Sequence, residues 1–269
     1  MIHPQLSVNA LSSINWSFEQ DLALWKSLGI HRAGLLIAKI ADDIDGKLAQ
    51  LLDAGIRPTT IVCGSFDLRT PESWDKTRDA LHGIVDSVAA ADKDCSIYFT
   101  AGRTTGAPWD EVLDIFATAV APCVEHARRQ GVCLAFEPSL RTDVSFVNTL
   151  RDAVDLAERT GMGLVVDFGN CWMERGLRET FLRAGPHIAL VQIDDVVIGG
   201  SGSPPPGGRV HIGDGELPLR RLMRDVLDAG YTGVFDLEVL GPLIEAEGYE
   251  TALRRGVASA SALLNEMGV

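Results

Sequence analysis

"VCLAFEPSLRTDVSFVNTLRDAVDLAERTGMGLVVDFG", residues 132–169, contains one full period of the pattern that decides the fold. It opens on a short apolar run, "VCLAFEP" (132–138), and closes on another, "GLVVDFG" (163–169). Between them "NTLRDAVDLAERTG" places apolar residues at helical spacing and stops at Gly161, a residue suited to a helix terminus. Neither apolar run alternates with polar residues, as a strand with one wet face would. Continuous apolar strands separated by helices suit a parallel sheet covered on both sides.

Working outward, the same unit recurs. Further strand-like runs lie at 5–10, 32–38, 59–64, 95–102, 188–194 and 233–240. Amphipathic segments separate them, beginning with "FEQDLALWKSLG", which Ser17 and Gln20 open as a capping box. Gly29, Gly55, Gly131 and Gly161 each end a helix just before the next strand, and Gly230 does the same before the last. Eight such units in 269 residues match the count and length of a (β/α)8 TIM barrel occupying the whole chain, 1–269, as a single domain. A doubly wound sheet is the alternative, but no GxGxxG follows the first strand. The irregular stretch "IGGSGSPPPGGR" (198–209), after the seventh strand, is too rich in Gly and Pro for regular structure; a loop of that length is expected to be functional.

Composition narrows the function. The net charge of −13 disfavours nucleic acid or an anionic membrane as partner. No apolar run is long enough to span a bilayer, and the N-terminus lacks the basic-then-apolar pattern of a secretory signal. Five cysteines without CxxC spacing argue against a disulfide framework. A cytoplasmic protein is expected.

In a barrel of this kind, chemistry gathers at the C-terminal ends of the strands. Those ends carry Glu137, Asp167, Gln192 and Glu238 on strands five to eight, each set among apolar neighbours: "LAFEP", "LVVDF", "LVQID", "DLEVL". Gln192 poses the sharpest question, since burying an unsatisfied amide costs on the order of 2 kcal/mol or more. Three converging carboxylates repel one another, and a divalent cation relieves the repulsion, with the Gln192 carbonyl as fourth ligand. An all-oxygen set favours one hard ion, Mg2+ or Mn2+. The bland alternative is four separate caps and ion pairs. Arg69, Arg103, Arg141 and Arg209 follow strands three, four, five and seven, where they could grip an anionic group on the substrate or simply pair with surface acids. Trp16, Trp109, Trp172 and Phe66 are candidates for the pocket wall or for packing.

The motifs "LAFEPS", "GLVVDFGN", "ALVQIDDV", "GRVHIGDGELPL" and "GYTGVFDLEVLGP", between about 130 and 242, resemble the sugar phosphate isomerase/epimerase family of xylose isomerase-like TIM barrels. The resemblance implies one divalent metal on Glu137, Asp167, Gln192 and Glu238, where many members have His in the third place and the similar 3-dehydroshikimate dehydratases have Gln. It also implies substrate binding by Arg209. One departure stands out: family epimerases and dehydratases typically carry His three residues after the strand-six aspartate, where this chain has Asn170. Asn170 can bind substrate but cannot carry a proton, and His211 is the candidate to replace it as a catalytic group. The implied activity is isomerisation or epimerisation of a small polyhydroxy or hydroxyketone substrate, with Glu137 and Glu238 as base and acid around a metal-stabilised enediolate. Dehydration at the same site is the first alternative. An AP endonuclease-like phosphodiesterase, disfavoured by the scattered histidines, and a non-catalytic barrel are the others. A homo-oligomer is left open.

Overall fold

The structure, a computed structural model, describes residues 1–103, 106–198 and 208–269. Strands β1 (Leu6–Asn9), β2 (Arg32–Leu36), β3 (Arg57–Ser65), β4 (Ser96–Thr100), β5 (Leu134–Glu137), β6 (Gly163–Asp167), β7 (Ile188–Ile193) and β10 (Phe235–Leu237) close into a barrel in that order, and β10 pairs back to β1. Every barrel pairing is parallel. The eight predicted runs are therefore the eight barrel strands, the third lengthened to Arg57–Ser65 and the other seven trimmed.

The helices form where their termini are satisfied. Ser17 and Gln20 make the reciprocal capping box, and Gly29 ends that helix in the left-handed conformation with φ of 72°. The helix between β5 and β6, Leu150–Thr160, starts on the Thr149 side chain and ends on Gly161 with φ of 73°, so the 132–169 unit folds as its pattern implies. Side chains inside the barrel and between barrel and helices form the core, with Phe99, Phe116, Phe136 and Phe168 essentially inaccessible.

Several elements were not anticipated. Short helices at Ile37–Ile40, Phe168–Cys171 and Pro242–Glu247 lie at the C-terminal ends of strands. Strands β8 (Asp195–Val196) and β9 (Arg209–Val210) pair antiparallel outside the barrel. They flank most of the Gly/Pro-rich stretch whose functional loop was expected; its residues 199–207 lie outside the described ones. Among the described residues no helix is long and apolar enough to cross a membrane.

Candidate active site

Strand register places the four expected residues at one end of neighbouring strands. Glu137 ends β5, Asp167 ends β6 opposite Gln192 of β7, and Glu238 follows β10 directly. Across β7 and β10, Gln192 stands opposite Asp236, so Glu238, two residues on, shares its face of the strand.

The side chains interlock. Gln192 has no exposed surface, and its Nε2 donates to the Tyr98 hydroxyl at 2.9 Å and to the Glu238 carboxylate. Its carbonyl Oε1 is buried with no hydrogen-bond partner among the described residues. Turning the amide over would set that oxygen against the Glu238 oxygens and take the N–H groups from both acceptors, so Glu238 and Tyr98 together favour the amide as it stands. Asn170 repeats the arrangement: its Nδ2 donates to Glu137 Oε1 at 2.9 Å, while its buried Oδ1 has no partner among the described residues. Asp167 accepts the Asn170 backbone N–H through Oδ1 and pairs through Oδ2 with Arg209.

Arg209 is buried rather than at an open rim. Its Nε pairs with Asp194 and its Nη2 with Asp167. Asp194 also accepts the Gly169 N–H at 2.9 Å. A side chain at position 169 would collide with that carboxylate, so the approach needs glycine. The neighbouring Asp195 explains the "HIGDGEL" motif. Its carboxylate accepts backbone N–H groups from Val196, Gly213, Gly215 and Leu217, tying down the segment that follows Arg209.

Four carboxylates (Glu137, Asp167, Asp194, Glu238) thus share one guanidinium in a desolvated region. Burial pushes Glu137 up to about 8, with Asp167 adding repulsion. Burial and Asp167 likewise lift Asp194 to about 7, and burial and Glu137 hold Glu238 well above the usual carboxylate range. Among the described residues no three or more carboxylate, imidazole or thiol side chains stand close enough together to hold a metal ion by themselves. The donor chemistry nevertheless fits a hard divalent cation. Carboxyls that burial and mutual repulsion keep from ionising, an orphaned amide carbonyl beside Glu238 and an all-oxygen donor set are what such an ion would satisfy.

Glu137, Glu238, Asn170, Arg209 and Arg141 line a cavity of about 250 Å3, with Leu11, Ile14 and Leu240 supplying apolar wall. That volume suits a small molecule. The Arg209 Nη1 has no hydrogen-bond partner among the described residues, and the Arg141 guanidinium is half exposed and paired with Asp143. Arg103 borders a different surface hollow with Phe66, Asp67 and Arg69. His211 does not line the cavity: its Nε2 bonds to Glu247 Oε2 at 2.8 Å, behind β9 on the helix Pro242–Glu247. Its Nδ1 is buried without a hydrogen-bond partner among the described residues. The aromatic candidates pack elsewhere, Trp16 edge-on to Tyr249, Trp109 beside Phe146 and Phe66 against Phe99 and Phe116. Sequence reading missed Asp194 and Tyr98. Tyr98 carries the same signal as Gln192, a polar atom inside an apolar strand, and Asp194 is the first half of the acidic pair after β7.

The family model described as xylose isomerase-like TIM barrel matches residues 27–258. The chain belongs to this family. No curated protein matches it at a significant level of sequence similarity. Among solved structures it is similar to the IolI protein with a bound zinc atom, at 18% identity and a TM-score of 0.84 over 98% of this chain and 99% of that one. It is similar to the probable 3-DHS dehydratase AsbF from Bacillus anthracis at 13% identity and a TM-score of 0.75, over 96% and 98% of the two chains. It is also similar to D-psicose 3-epimerase from Clostridium cellulolyticum H10, solved with D-tagatose, at 14% identity and a TM-score of 0.72, over 98% of each. At these identities the likeness shows a shared barrel. Family membership therefore leaves the reaction open.

Proposed function

We propose that this family member is a divalent-metal-dependent isomerase or epimerase of a small hydroxyketone. The observation that carries the reading is the buried Oε1 of Gln192, without a partner among the described residues, beside Glu238 at strand ends shared with Asp167 and Glu137. Glu137, Asp167, Gln192 and Glu238 would hold Mn2+ or Mg2+, which when bound supplies Lewis-acid polarisation of a substrate carbonyl and its neighbouring hydroxyl.

The chain's own groups do the rest. Glu137, oriented by the Asn170 amide and made more basic by burial, removes the carbon-bound proton. Glu238 returns a proton, to the opposite face of the same carbon for epimerisation or to the neighbouring carbon for isomerisation. Asn170 Oδ1, Arg209 Nη1 and the Arg141 guanidinium remain to bind substrate hydroxyl or anionic groups. An amide at position 170 holds Glu137 but cannot itself move a proton, so proton transfer falls to Glu137 and Glu238.

The test is incubation of Mn2+- or Mg2+-loaded protein with candidate ketoses and with 3-dehydroshikimate in D2O, followed by NMR. Deuterium entering a ketose next to its carbonyl supports the reading. Formation of protocatechuate without exchange into any ketose replaces it with the dehydratase.

A further inference from the structure

Beneath the candidate metal ligands the barrel interior mixes polar side chains, Asn9 and Asp236 among them, with the usual aliphatic ones. Tyr98 of β4 is fully buried there among Val62, Ala135, Val165 and Leu190. A phenol in such a layer must find a partner for its hydroxyl, whereas Phe would need none. The partner is Gln192, whose Nε2 donates to it at 2.9 Å. The Asn9 amide lies beside the same phenol, and Asn9 is itself fixed: Nδ2 donates to Asp236 at 2.7 Å and Oδ1 accepts the Leu11 N–H at 2.9 Å. Asp236 stands directly opposite Gln192 in the β7–β10 register. Strands β1, β4 and β10 thus build a frame around one amide on β7.

That amide has two N–H groups and two acceptors for them, Tyr98 and Glu238. With both committed, the carbonyl has a single direction left. We propose that Tyr98 is a positioning residue that locks the Gln192 amide so that Oε1 faces the metal position. The inference rests on the metal reading of Gln192 above. Without the phenol the amide keeps one buried N–H unsatisfied and can rotate about its last bond, so the carbonyl is no longer held for ligation.

Mn2+ titration by calorimetry of the wild type, Tyr98→Phe, Gln192→Ala and the double variant tests this. Tyr98→Phe should weaken Mn2+ binding by roughly 10- to 100-fold, the range for loss of a ligand's hydrogen-bond partner. In the Gln192→Ala background the same change should have no further effect, because Tyr98 acts through that amide. Tight binding by Tyr98→Phe, with binding lost in Gln192→Ala, overturns the positioning role and leaves the metal reading standing. Absence of Mn2+ binding in the wild type, or equal binding by all four proteins, overturns both.

Should Tyr98→Phe fail to fold, 3-fluorotyrosine labelling reports from the unmutated site. Of the three tyrosines, Tyr231 and Tyr249 are assigned by their Phe variants and the remaining 19F signal is Tyr98. It should shift with Mg2+ at the midpoint of Mg2+ binding. A Tyr98 signal unmoved at Mg2+ saturation overturns the proposal.

Discussion

Arg209 shows how far a single residue can be read from sequence and where structure must take over. Its position after β7 marked it for substrate binding, yet two of its nitrogens are committed to Asp167 and Asp194. Arg209→Ala would leave both carboxylates buried without a counter-charge, and breaking such a pair costs roughly 3–5 kcal/mol. The expected outcome is a large loss of stability to urea without metal, partly recovered in Mn2+ because a cation supplies the missing charge. A variant as stable as wild type without metal, with only a raised KM, would instead make Arg209 a pure substrate contact. The strand-end residues were legible because each is a lone polar group in an apolar run. Asp194 was not, since nothing in "QIDDV" tells which aspartate faces Arg209 and which caps the following loop. The surroundings of His211 were not legible for a related reason: its partner Glu247 is 36 residues away and belongs to a helix the sequence pattern did not reveal.

Among elements, the barrel strands and the long helices were readable because periodicity and glycine stops agree with the final packing. The short helices at Ile37–Ile40 and Phe168–Cys171 were not, because four residues give no measurable period. The latter matters most to the site. It starts on the Asp167 side chain, which accepts the Asn170 N–H, and its Gly169 admits Asp194. Gly169→Ala should therefore displace Asp194 and disturb the Arg209–Asp167 contact beyond it, weakening Mn2+ binding while circular dichroism stays that of a folded barrel. Unchanged Mn2+ affinity would show that Asp194 does not brace the ligands. The segment 213–217 allows a parallel test. Asp195→Ala strips acceptors from four backbone N–H groups and should cost about 2 kcal/mol or more, read by urea unfolding, since each buried donor left unmade carries its own penalty.

For the whole molecule, the cluster of carboxyls at the barrel mouth is a concentrated source of instability. Glu137, Asp194 and Glu238 are all pushed upward by burial, so the folded barrel carries a desolvation cost that the unfolded chain does not. A ligand that binds only the folded state stabilises it by mass action, by about 2.7 kcal/mol at a hundredfold excess over Kd. For a chain of this size that corresponds to a rise in Tm of roughly 5–10 °C. Adding Mn2+ to metal-stripped protein should produce such a rise, and EDTA should reverse it. Glu238→Gln should behave in the opposite sense. Removing one crowded carboxylate relieves repulsion, so the metal-free variant should melt at or above the wild-type temperature, while its response to Mn2+ should shrink because a ligand charge is gone. A metal-induced rise as large in Glu238→Gln as in wild type would place the ion elsewhere and remove Glu238 from the site.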